Sequence, residues 1–270
     1  MTLNHFWRFY SLISVAMLMS ILMISAPSFA HETEQLTAQS KSDVAQKPQQ
    51  QPAELTLSPI APDVYLHRSY QAVKGFGLVE SNGLVVVQNK QAFIIDTPWT
   101  DKDTAKLVDW ITQQDLTVTA SISTHSHQDR AGGIGYLNSQ GITTWVSDKT
   151  QRILTANQLA TATHTFAGNQ HILQPQLIEV YNFGAGHTVD NLVVWLPTQQ
   201  ILFGGCLIKS LRSRTLGYTG EANLQQWPLT VAKVQAQFTA AKMVVPGHGN
   251  IGDSSLLSHT IDLLTQQPQG

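Results

Sequence analysis

A chain of 270 residues, 42% of them hydrophobic and 13% charged, is long enough to bury a sizeable core and too apolar to be disordered throughout. Sixteen Lys and Arg against eighteen Asp and Glu leave a formal charge of −2, so there is no basic field to attract nucleic acid or anionic lipid. Ten histidines and a single cysteine stand out, because one cysteine cannot close an intrachain disulfide and must be kept by packing, a metal or reactivity.

Residues 1–30 read as a cleavable export signal. Arg8 is their only Lys or Arg, residues 11–25 are apolar, and Ser28-Phe29-Ala30 offers small residues for cleavage. The apolar run is shorter than the ~20 residues of a spanning helix, so the expected product is periplasmic, with no stable membrane association after cleavage. Residues 31–54, with six Gln, two Pro and no aromatic residue, cannot bury enough apolar surface to order themselves and read as a flexible linker. The remaining segment, 55–270, is expected to be one domain.

That domain opens with strands at 64–70, 76–80, 84–88 and 91–96. Ser81-Asn82-Gly83 between the second and third is a hairpin signal, since Asn-Gly tolerates positive φ. Thr100 and Asp103 resemble a capping box, and Leu107, Trp110 and Ile111 follow at helical spacing, predicting a helix over 101–114. Strands at 118–124 and 143–146 alternate with helices at 135–138 and 150–159. Strands at 177–183, 191–196 and 201–204, a helix at 227–238, a strand at 243–245 and a helix at 254–265 complete the chain. A strand-rich opening followed by mixed units suggests an α/β fold of two sheets covered by helices.

The strand at 118–124 runs into His125-Ser126-His127-Gln128-Asp129-Arg130. In an extended segment residues i, i+2 and i+4 share a face, so two imidazoles and a carboxylate are expected to converge. Three glycine-rich segments end other predicted strands: Gly184-Ala185-Gly186-His187, Phe203-Gly204-Gly205-Cys206 and Val245-Pro246-Gly247-His248-Gly249. Each alone is equally a polar turn with an incidental His or Cys. Together they supply four His, one Asp and one Cys, enough for two tetrahedral zinc ions with positions open to water, the inventory of a catalytic and not a structural site. A metal would also shield the thiol of Cys206 in an oxidising compartment.

Over residues 60–265 these motifs resemble the metallo-β-lactamases, specifically subclass B1. The wider superfamily shares His-x-His-x-Asp-His; here Arg130 holds the sixth position, and Cys206 stands where many relatives carry a bridging aspartate. The resemblance implies an αββα sandwich of two mixed β-sheets flanked by helices. It implies one zinc on His125, His127 and His187 and a second on Asp129, Cys206 and His248. The implied activity is hydrolysis of the β-lactam amide of penicillins, cephalosporins and carbapenems by metal-activated water, conferring antibiotic resistance, with Asp129 orienting water or relaying a proton. By the same resemblance, residues 70–77 form a mobile flap with Phe76 at its tip, and Lys209 receives the substrate carboxylate. Asp96 and Arg130 support the ligands, and Tyr218 occupies the place of an asparagine that often contacts the lactam carbonyl. A small-molecule β-lactam is the expected partner and a monomer the expected state. Another exported dizinc hydrolase, acting on a lactone or thioester, and a non-catalytic zinc-binding protein are the alternatives.

Overall fold

The computed structural model describes residues 53–266; the signal segment and the linker up to residue 52 lie outside the described residues. A seven-stranded sheet has the order β1-β2-β3-β4-β5-β6-β7. Its first half is an antiparallel meander of β1 (Thr56–Ala61), β2 (Val64–Val73), β3 (Gly77–Gln88) and β4 (Gln91–Ile95). Its second half is parallel: β5 (Thr117–Ile122), β6 (Thr143–Ser147) and β7 (His164–Phe166). Parallel strands need crossovers, and helices supply them: α1 (Asp101–Gln113), the short α2 (Gln128–Ala131) and α3 (Ile134–Ser139), then α4 (Asp148–Ala156).

The second sheet has the order β12-β11-β10-β9-β8, built from β8 (Gln170–Gln174), β9 (Ile178–Tyr181), β10 (Val193–Leu196), β11 (Ile201–Gly205) and β12 (Met243–Pro246). Helix α5 (Trp227–Gln237) carries the chain from β11 to its parallel neighbour β12, and α6 (Ser255–Thr265) ends the described chain.

Three apolar layers hold these parts together. Between the sheets, Leu66, Leu84, Phe93, Ile95 and Ile122 meet Ile178, Val180, Val194, Phe203 and Val245. Leu107 and Ile111 of α1 with Leu137 of α3 cover the other face of the first sheet through Val85, Ala92 and Ile94. Trp227, Val231 and Val234 of α5 with Leu256 and Leu257 of α6 cover the second sheet through Val193, Leu202 and Val244. The αββα layering is therefore the observed one. The periodicity of α1 buries Leu107 and Ile111 as expected, and Thr100 caps it by accepting from Asp103 N at 3.1 Å.

One expectation fails. Ser81-Asn82-Gly83 is not a turn: β3 runs unbroken through it, pairing Ser81 with Ser69, Asn82 with Arg68 and Gly83 with His67. Tertiary contacts override the local preference. Asn82 Nδ2 donates to the carbonyls of Pro246 (2.9 Å) and Gly249 (2.8 Å), and Ser81 Oγ donates to the Asp129 carbonyl (3.0 Å). Gly83 is glycine for proximity, since a Cβ there would lie 2.2 Å from His67 Nε2 and 2.8 Å from the Ile95 carbonyl. The real hairpin turn lies one step earlier, between β2 and β3, where Gly75 and Gly77 have positive φ and Phe76 N donates to Val73 O at 3.0 Å. β1, β7 and β8 leave little pattern in the sequence, because β1 carries a proline, β7 has only three residues, and β8 is flanked by Gln and offers little apolar alternation.

Replacing Gly83 by Ala is expected to overpack this crossing and lower the urea unfolding midpoint by an amount equivalent to about 1–3 kcal/mol. An unchanged midpoint would show that His67 yields freely.

Candidate metal centre

The ends of strands from both sheets deliver the ligand candidates to one place. His125 follows β5, His187 lies in the loop from β9 to β10, Cys206 follows β11, and His248 follows β12. The extended reading of residues 125–129 needs correction: His127 is the N-cap of α2, and Asp129 lies within that helical turn. The turn splits the motif. His125 Nε2 and His187 Nε2 stand 3.1 Å and 3.2 Å from His127 Nδ1. Asp129 Oδ2, Cys206 Sγ and His248 Nε2 form a second triangle with edges of 3.4, 3.3 and 3.2 Å.

These triangles fit zinc. With Zn–N bonds of about 2.0–2.1 Å and Zn–S of about 2.3 Å, neighbouring ligand atoms of a tetrahedral ion lie about 3.3–3.7 Å apart. Three imidazoles, or an imidazole, a thiol and a carboxylate, are donor sets that suit this borderline-soft ion. Protonation agrees. Burial holds the imidazoles of His125 and His187 well below the ordinary histidine range, leaving their nitrogens free to donate electron pairs. Burial also opposes charge on His248, but Cys206 and Asp129 outweigh it and raise the group to about 10. The second triangle therefore demands a positive charge.

Backbone and side-chain partners fix the rings. His248 Nδ1 donates to the Glu80 carbonyl, which leaves Nε2 facing the triangle, and His127 Nε2 donates to Glu221 Oε2 at 3.0 Å, which leaves Nδ1 facing the other. Glu221, 94 residues from His127 in the chain, had no signal in spacing or composition. Gly247 lets the backbones crowd: a Cβ there would lie 2.7 Å from both the amide nitrogen and the sulfur of Cys206.

Arg130 lies beneath Asp129, completely buried. Its guanidinium donates to Asp129 Oδ2 through Nε (3.0 Å) and Nη2 (2.8 Å), to Asp96 Oδ2 through Nη1 (3.1 Å), and to the carbonyls of Asn82 and Gly247. Burial alone would push the Asp129 carboxyl up, but Arg130 and His248 hold it well below the usual carboxylate range. Asp96 is raised to about 6 by burial, against the pull of Arg130 and two bonds from Thr124. It touches no ligand ring; it holds Thr124, the residue before His125, through the backbone nitrogen (2.6 Å) and hydroxyl (2.9 Å).

Above both triangles opens a cavity of about 560 Å³. Phe76, at the tip of the β2–β3 hairpin and 53% exposed, and the half-exposed Tyr218 both line it. The Tyr218 ring meets His127 edge to face at 5.8 Å. Lys209 lines it from below, buried, its Nζ 5.3 Å from the centre of the Trp227 ring, and burial lowers its pKa. Of the residues singled out in the sequence, Phe76, His127, Asp129, His187, Lys209, Tyr218 and His248 line this cavity, and His125, Cys206, Asp96 and Arg130 do not.

Residues 76–248 match the family model of the metallo-β-lactamase superfamily. A metallo-β-lactamase type 2 of Pseudomonas aeruginosa is 42% identical over 207 residues, covering 77% of this chain and 83% of the relative, and one of Bacteroides fragilis is 36% identical, covering 83% and 90%. Among solved structures, TMB-1 superposes with a TM-score of 0.78 at 50% identity over 79% of this chain and 98% of its own. DIM-1 metallo-β-lactamase, exposed to ceftazidime, gives 0.79 at 47% identity over 80% and 99%.

Arg130→Ala would strand two buried carboxylates, and a loss of about 3–5 kcal/mol in unfolding free energy is expected for the metal-free protein. A loss below ~1 kcal/mol, the scale of an exposed pair, would show that Asp96 and Asp129 find other partners.

Proposed function

The chain belongs to the metallo-β-lactamase superfamily, and from that premise we propose how its own residues carry the reaction. It is a class B β-lactamase, a zinc-dependent hydrolase of the β-lactam amide, and as such confers antibiotic resistance. Arg130 and Cys206 support subclass B1 within the superfamily. The pair of three-membered ligand sets, in which His127 Nδ1 stands 3.1 and 3.2 Å from the other two histidines and Asp129, Cys206 and His248 stand 3.2–3.4 Å apart, is the observation that carries the detail. His125, His127 and His187 would hold one zinc, and Asp129, Cys206 and His248 a second. Bound zinc supplies water that ionises near neutral pH and a Lewis acid for the carbonyl oxygen.

The protein's own groups do the rest. Asp129, kept anionic by Arg130, orients water or relays a proton. Cys206 acts as a ligand and not as a nucleophile. Lys209, buried against Trp227 and stripped of much of its hydration, gains an anionic partner when the substrate carboxylate enters. Phe76 on the hairpin and Tyr218 on the facing loop cover the substrate and exclude water. The Tyr218 phenol takes the place of an amide donor near the carbonyl, which alters substrate preference and not the reaction. Penicillins, cephalosporins and carbapenems are the proposed substrates. A cleavable signal over residues 1–30 would deliver a monomeric enzyme to the periplasm; among the described residues no helix is long and apolar enough to cross a membrane.

Hydrolysis of a chromogenic cephalosporin and of a carbapenem is expected to vanish on chelation and return with zinc. Zinc-restored turnover of a lactone or thioester with none on any lactam would overturn the substrate assignment, and stoichiometric zinc with no turnover on any of these would overturn catalysis. Cys206→Ser is expected to lower bound zinc from two equivalents towards one and to cut kcat at limiting zinc; full zinc content with normal turnover would contradict the ligand assignment.

A further inference from the structure

Asp190 is a third buried carboxylate near the ligands, and nothing in the mechanism uses it. It follows His187 by three residues and is 1% exposed. Its Oδ2 accepts the backbone N–H of Ser126 at 3.0 Å, the residue between His125 and His127. The loop carrying it is already well tied. Leu192 N donates to the Thr124 carbonyl (2.9 Å), Asn191 Oδ1 accepts from Thr188 N (3.1 Å), and Asn191 Nδ2 donates to Gly184 O (2.9 Å). A neutral amide acceptor at position 190 would serve the Ser126 bond equally well, so a carboxyl there needs a further reason.

The Asp190 carboxyl has no cationic partner among the described residues. Asp96 and Asp129, equally buried, share Arg130, whereas Asp190 makes no ion pair among the described residues and its Oδ1 has no hydrogen-bond partner. The neighbouring His125 and His187 make no hydrogen bond to it either. Their Nδ1 atoms are likewise buried and without partners. An uncompensated buried carboxylate is costly and is retained only where something balances it.

We propose that Asp190 is a positioning residue for the His125, His127 and His187 site, binding the two ligand segments together and holding an anionic charge that the incoming divalent cation balances. The three-histidine triangle, which has no carboxylate of its own, thereby acquires a nearby acidic group that raises its affinity for zinc, at the expense of the metal-free fold. The inference rests on the zinc assignment above.

Asp190→Asn tests it, because the amide keeps an acceptor for Ser126 N–H and removes only the charge. The mature protein is stripped of metal, and its thermal midpoint is measured without and with zinc; zinc affinity is read by competition with a chromophoric chelator. Metal-free D190N is expected to melt at or above the wild-type temperature, while its affinity for the first zinc falls about tenfold or more and its zinc-induced stabilisation shrinks. Asp190→Ala, lacking the acceptor as well, is expected to lose metal-free stability too. Wild-type zinc affinity in D190N, or a D190N chain that melts well below the wild type or fails to fold without metal, would make the residue a purely structural one and overturn the inference. Should the wild type itself gain nothing from zinc, the zinc assignment falls first and this inference with it; a wild-type gain matched fully by D190N removes this inference alone.

Discussion

The buried guanidinium of Arg130 is the constraint on which the centre depends. It joins the helical turn after β5, the end of β4, the middle of β3 and the loop after β12 through five hydrogen bonds. Those four pieces belong to both sheets. An arginine can serve this way because its planar fork offers five donors in fixed directions and stays charged in the interior. With Asp129 and Asp96 on one side and two carbonyls on the other, its charge is spent on holding Asp129 anionic and correctly turned. The second ligand triangle therefore exists as geometry before any ion arrives.

Around that fixed point the electrostatics divide the centre in two. In the triangle of Asp129, Cys206 and His248, the acidic neighbours raise His248 to about 10 against the effect of burial, so the site favours a positive charge. The three-histidine triangle has no carboxylate of its own, and its recognition of a cation relies on lone pairs and on whatever acidic groups lie behind them. The groups behind the rings supply orientation by different means: a carbonyl for His248 and a glutamate for His127. The apolar layers behind the site contribute indirectly, since dry walls strengthen each of these interactions.

Most of the fold was legible because strands and helices here follow their periodicities. The capping of α1 by Thr100 and the burial of Leu107 and Ile111 were readable from spacing alone. What escaped was governed by contacts across long sequence separations. Asn82-Gly83 carries a strong local turn preference, yet Asn82 is claimed by Pro246 and Gly249, more than 160 residues away, and Gly83 by the ring of His67. Of the site, the donor types were readable from spacing, and their grouping came from the family resemblance alone. Alternation along a strand put His125, His127 and Asp129 on one face, whereas a helical turn sends Asp129 to a different triangle. Glu221 and Asp190 left no mark in the sequence, because a single acidic residue in a loop has meaning only once its partner is beside it.

The central claim is that two sets of ligands, three histidines on one side and Asp129, Cys206 and His248 on the other, each hold one zinc. Anomalous scattering at the zinc edge from crystals of the zinc-loaded protein tests this directly. Two peaks are expected, one bonded to His125 Nε2, His127 Nδ1 and His187 Nε2 and the other to Asp129, Cys206 and His248. A single peak at full zinc loading, or a peak coordinated by any other set of side chains, would contradict the account.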